Sequence, residues 1–130
     1  MPHQFTAKEL SISEKDWGLL TVLSAPSTED EDFYLMFQSA NAYDEQDIRL
    51  GMDKPYIEYC GQGWSWYGHM LRVELLADKI CIQMDSEAAA EMEGDGEIVV
   101  SFEFPAPSRT ELRTALDRTF SGLSMYSVAC

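Results

Sequence analysis

The sequence predicts an α+β fold: a mainly antiparallel, meandering sheet of about six to seven strands, with an amphipathic helix near the C-terminus packed on it. Three observations support this. Short apolar runs alternate with polar residues at a period of two, as half-buried strands do. Several links between them are hairpin-length, which makes their strands antiparallel. Towards the C-terminus the period lengthens to that of a helix with one apolar stripe, and such a stripe needs a sheet face to cover. The 130 residues suit one domain, 1–130, with 122–130 as a less ordered tail. A chain this long buries roughly two thirds of its unfolded surface, enough for a core without metals or disulfides.

In order, Phe5 to Ile12 reads as a strand, Asp16-Trp17-Gly18 as a turn, and Leu19 to Ala25 as a second strand. Ser24 to Asp32 holds four consecutive acids and reads as an exposed loop. Phe33 to Gln38 is apolar enough for a buried strand, and residues 39–53 form a long polar connection. Pro55 to Cys60 is a strand, Gly61-Gln62-Gly63 a hairpin link, and Trp64 to Leu76 a long strand bent at a bulge at Gly68. In its second half Leu71, Val73 and Leu75 share one face while Arg72 and Glu74 take the other. Ile80, Ile82 and Met84 alternate with Cys81, Gln83 and Asp85. Asp85-Ser86 caps a short helix over Glu87 to Met92 that stops at Gly94. Glu97 to Phe104 is the last strand, ended by Pro105 and Pro107. Ser108-Arg109-Thr110-Glu111 reads as a capping box for the final helix. Leu112, Ala115, Leu116, Thr119 and Phe120 form its stripe, and Gly122 ends it.

Charge narrows the function. Nine Lys and Arg face 23 Asp and Glu, a net charge of −14. Such a surface repels nucleic acid and anionic lipid, which need cations to neutralise phosphate, and attracts basic partners. Residues 27–53 carry eight acids against Arg49 alone, and residues 85–103 carry seven acids and no base. The start of the chain has no basic segment followed by an apolar one, and no run approaches the roughly 20 apolar residues of a membrane helix, so a cytoplasmic protein is expected. Cys60, Cys81 and Cys130 are an odd set, which fits free thiols in a reducing compartment.

Catalytic patterns are mostly missing. Cys60, His69 and Cys81 match no zinc spacing. Cys60 and His69 fall on neighbouring strands but out of register for a thiol–imidazole couple. Gly61-x-Gly63 would need a third glycine where Trp66 stands, and no helix follows to hold a phosphate. The acids from Glu91 to Glu97 lack the spacing and the flanking helices of a calcium loop. No catalytic residue, cofactor or metal ligand is therefore assigned. The densest stretch is YIEYCGQGWSWYGHM, residues 56–70. Trp64 and Trp66 share one strand face and Tyr67 takes the other, so both faces carry rings. One face fills the core; the other is a contact surface unless something covers it.

The stretches YLMFQ, YDEQDIRLGMD, PYIEY, GQGWSWYGHM and VELLADKICIQMD, with EAAAEM behind them, resemble the immunity protein 10 family, small bacterial proteins encoded beside polymorphic toxins. The sharpest part is Phe37-Gln38 with Asp44-Glu45-Gln46-Asp47 and Leu50-Gly51-Met52-Asp53. The resemblance implies a non-enzymatic inhibitor whose partner is a cognate toxin domain, in such systems often a nuclease with a basic surface. It supplies no contact residues. Charge and aromatic position alone nominate Asp44, Glu45, Asp47 and Asp53 towards cationic toxin residues, and Trp64, Trp66 and Tyr67 as anchors. The alternative is a small ligand-binding domain or enzyme with its pocket at hairpin 56–70, using Tyr59, Cys60, Tyr67 and His69. A third reading is a structural subunit of a larger complex. The sequence leaves the oligomeric state open.

Overall fold

A computed structural model of the chain describes residues 3–16, 18–25, 33–40, 54–59, 64–92, 94–121 and 123–128. The fold is α+β and mostly β. Ten strands among these residues form two sheets. Strands β1 (His3–Ala7), β7 (Met70–Leu75), β8 (Lys79–Met84), β9 (Glu97–Phe102) and β10 (Tyr126–Val128) make sheet I, in the order β1-β9-β8-β7-β10. Strands β2 (Glu9–Glu14), β3 (Gly18–Ala25), β4 (Phe33–Ala40), β5 (Tyr56–Tyr59) and β6 (Ser65–Tyr67) make sheet II, in chain order. Helix α1 (Ser86–Glu91) links β8 to β9, and α2 (Ala106–Thr119) follows β9.

Sheet II is the meander that the hairpin-length links imply, antiparallel throughout. Sheet I is antiparallel in its middle, with a parallel strand at each edge: β1 beside β9 and β10 beside β7. The inner faces of both sheets and the apolar sides of both helices meet in one core. Leu23, Leu35, Phe37 and Ile57 come from sheet II, Val73, Ile80, Ile82, Ile98 and Val100 from sheet I, and Ala88, Leu112, Leu116 and Phe120 from the helices. Phe37 and Phe120 meet edge to face, 5.4 Å between centroids at 80°, a geometry that ring quadrupoles favour.

Two segments that read as single strands are split between the sheets. The first parts at Lys8. Ala7 ends β1 in sheet I, where its carbonyl accepts from Glu103 N–H at 2.9 Å, and Lys8 N–H already bonds across to Ser24 of sheet II at 2.9 Å. The second parts at Gly68-His69, between β6 in sheet II and β7 in sheet I. Both residues have positive φ, 78° and 63°. Glycine adopts that conformation freely; histidine does so at a cost of about 1–3 kcal/mol that its surroundings must offset. Here the offset comes from Asp85, whose N–H donates to the His69 carbonyl at 2.8 Å and whose Oδ2 lies 2.8 Å from His69 Nδ1. The other carboxylate oxygen accepts from Ala88 N–H at 3.0 Å and caps α1, as the sequence suggests.

The bulge lies between Met70 and Arg72 rather than at Gly68, because Gly68 serves the crossover. The extra residue shifts the alternation: Met70 joins Val73 and Leu75 inside, and Leu71 is tipped outward to 61% exposure instead of sharing their face. Helix α2 starts earlier than its capping box suggests. Pro105 is the N-cap without a side-chain bond, and Pro107 occupies the first turn, where a missing N–H is no loss. Phe102 rather than Phe104 ends β9. The segment after α2 contains β10, whose Tyr126 ring stacks on Phe120 at 5.3 Å.

Candidate functional site

Hairpin β5–β6 has two unlike faces. Pairing sets Tyr56 against Tyr67, Ile57 against Trp66 and Glu58 against Ser65, and Tyr59 N–H donates to the Trp64 carbonyl at 3.0 Å. Ile57, Tyr59, Trp64 and Trp66 therefore share the inner face, and Tyr56, Glu58, Ser65 and Tyr67 the outer one. Both tryptophans are half-buried and pack against the core. Trp64 lies almost parallel to Tyr59, 6.1 Å between centroids at 9°, and Tyr59 meets Phe5 of sheet I at 6.0 Å. Trp66 Nε1 donates to Glu91 Oε2 at 3.0 Å and so ties α1 to the sheet edge. Tyr67 is 42% exposed. Asp44, Glu45, Asp47 and Asp53 lie outside the described residues, as does Cys60.

The outer face brings Tyr67 together with groups that the sequence does not single out. Pairing of Met36 with Glu58 places Tyr34 of β4 diagonally across from Glu58. The Tyr34 hydroxyl donates to Glu58 Oε2, and the Tyr56 hydroxyl donates to Oε1 at 2.7 Å. The Tyr67 ring sits 5.2 Å from that of Tyr56 at 57°. Leu20, Val22, Met36 and Gln38 flank the cluster, each half-buried. Burial, reinforced by the nearby Glu58 carboxylate and opposed by the hydrogen bond with Ser65, pushes the Tyr56 phenol up. It therefore remains a donor at neutral pH. The alternation of Tyr56 and Glu58 against Ile57 and Tyr59 is readable in the sequence. That Tyr34, 24 residues from Glu58, joins them depends on the β4–β5 register.

Other surface features differ in chemistry. A groove of about 450 Å³ runs between α2 and the β2–β3 hairpin. Ile12, Leu19 and Ala115 are its apolar lining, and Arg118 pairs with Glu14 at its rim. The groove residues do not include any of hairpin 56–70, where the ligand-pocket alternative would lie. Cys81 sits on the outer face of sheet I between Glu74 and Val99, sharing that face with Gln83 as the alternation predicts. Burial is the main influence that raises its thiol, which disfavours the nucleophilic thiolate. His69 is engaged by Asp85, with Glu87 Oε2 at 3.9 Å. Among the described residues no three His, Cys, Asp or Glu side chains gather as a metal site would require, and no helix is long and apolar enough to cross a membrane.

What this arrangement offers is a half-exposed sheet face with rings and a fixed carboxylate, a surface for holding another molecule. The comparison with protein families is informative here: the model of immunity protein 10 matches residues 6–110. The chain belongs to that family. The immunity protein 10 match takes in all of sheet II, β7 to β9 of sheet I and α1, and ends in the first turns of α2. The whole outer face around Glu58 lies inside it, whereas Thr114, Ala115 and Arg118 of the groove lie beyond it. No curated protein and no solved structure matches the chain.

Proposed function

We propose that this protein is a non-enzymatic immunity factor, acting as a single domain in the bacterial cytoplasm. It binds a cognate toxin domain and covers a basic active site or substrate groove. The observation that carries this reading is the family match over residues 6–110. The charge of −14 supports it, because a nuclease-type toxin needs a cationic surface for phosphate, and an acidic inhibitor is the complement of that surface. On this reading Asp44, Glu45, Asp47 and Asp53 steer the approach, and exposed rings of hairpin β5–β6, Tyr67 foremost, supply held contact. Trp64 and Trp66 contribute by fixing the hairpin edge and through the area they leave open.

The test is co-expression with the C-terminal domain of the product encoded immediately upstream. The expected result is rescue of growth and a complex that co-purifies at fixed stoichiometry. A neighbour that is toxic and is neither bound nor neutralised would refute the reading. Reversing charge at Asp44, Glu45 and Asp47 together should slow association and flatten its salt dependence.

A further inference from the structure

On the described surface, some carboxylates have cationic or imidazole neighbours: Glu14 with Arg118, Asp117 with Arg113, Glu103 with Lys8, Asp85 with His69. Glu58 differs. Each of its oxygens accepts from a tyrosine hydroxyl, from Tyr34 and from Tyr56. No ion pair involves it among the described residues. Hydroxyl donors orient a carboxylate but leave its charge uncompensated. A half-buried, uncompensated charge gains from any cation that reaches it.

The cluster also has the acceptor capacity to receive one. A carboxylate has about four lone-pair sites, and the two tyrosines occupy one on each oxygen. Acceptor capacity therefore remains on both oxygens, and a guanidinium is the side-chain cation that can donate to both at once. Rings stand beside the carboxylate, with Tyr67 exposed and tilted against Tyr56, and a planar cation can stack on such a ring. No residue of this face is fully buried: Tyr34, Met36, Gln38, Tyr56 and Glu58 are all half-exposed and Tyr67 more so.

We propose that Glu58, held by Tyr34 and Tyr56 and flanked by Tyr67, is the seat for a single arginine side chain of the toxin domain. This rests on the immunity reading above and names the chemistry of its contact. Charge argues for that occupant: a chain of net charge −14 presents here a preset anion inside an aromatic surround, and a basic partner supplies the counter-charge.

The experiment uses the full chain and the toxin domain encoded upstream, with affinity measured by calorimetry. Glu58→Gln keeps the shape and removes the charge, and affinity should fall roughly 30-fold, as when one partner of a desolvated charge pair is neutralised. Tyr67→Ala, at an exposed position that does not threaten folding, should weaken binding by about tenfold. Phenylglyoxal labelling of the toxin domain should show one arginine protected by the wild-type protein and reactive in the presence of Glu58→Gln. Binding by Glu58→Gln within about twofold of wild type would overturn the seat while leaving the immunity reading intact. Affinity that falls with Glu58→Gln while no toxin arginine differs in reactivity between the two proteins would overturn the arginine assignment. If the wild-type protein itself fails to bind, the immunity reading fails and this inference falls with it.

Discussion

The inner and outer faces of sheet II use the same residue class in opposite ways. Inside, Phe37 meets Phe120, Tyr59 stacks with Trp64, and Trp66 packs against the core. Outside, Tyr34, Tyr56 and Tyr67 stand one residue out of phase on the same strands, and two of them turn their hydroxyls to Glu58. The pleat alone sends neighbours to different environments. On the buried side a ring contributes by the area it removes from water. On the half-exposed side area is worth less, and the hydroxyl, which orients a charge, decides what the residue does. A tyrosine in this chain is therefore read by its face before its identity.

The sharpest break in that contrast is Phe37→Ala. Phe37 is fully buried and meets Phe120 edge to face. The expected cost is about 3–5 kcal/mol in urea unfolding. Partner affinity should hold at any temperature where the variant stays folded. A loss below about 1 kcal/mol would show that the inner face is loosely packed.

Next is Asp85, which fixes the crossover that carries the chain out of sheet II after Tyr67. Burial by itself would raise its carboxyl. The Ala88 N–H and the His69 side chain outweigh that and hold it below the ordinary carboxylate value. A depressed folded-state value contributes stability in full above the unfolded value of about 4, and the contribution is lost as pH falls through the folded one. Asp85→Asn should thus cost about 1–2 kcal/mol at neutral pH. The gap to wild type should close on acidification below about pH 4. A gap unchanged down to pH 2 would exclude the carboxylate as its source.

Smaller effects separate ring area from polar contact. Trp66→Phe keeps most of the ring and loses the donor to Glu91, and should cost about 0.5–1.5 kcal/mol by thermal or urea unfolding. Tyr67→Ser, at an exposed position, should change stability by no more than about 0.5 kcal/mol while still weakening the partner. Equal losses of stability and affinity at Tyr67 would erase the distinction between the two faces.

The sequence by itself determined the apolar side of β8 and β9, because the period of two is written into them residue by residue. It determined the stripe of α2, from Leu112 to Phe120, and the cap of α1 at Asp85, because these depend on spacings within one or two turns. It did not determine which sheet a strand joins. The apolar phase slips at Lys8-Glu9, from Phe5 and Ala7 to Leu10 and Ile12, and at Gly68-His69 a bend is legible, but neither names the partner strand; the division into two sheets came from partners far along the chain: β9 for β1, β7 for β10. A three-residue strand such as Tyr126–Val128 has too few residues to show a period and exists because an open edge of β7 receives it. The Glu58 cluster has the same origin: Tyr34 reaches Glu58 only when the β4–β5 register aligns them, and register is a long-range choice made by burying Phe37 and Ile57 together.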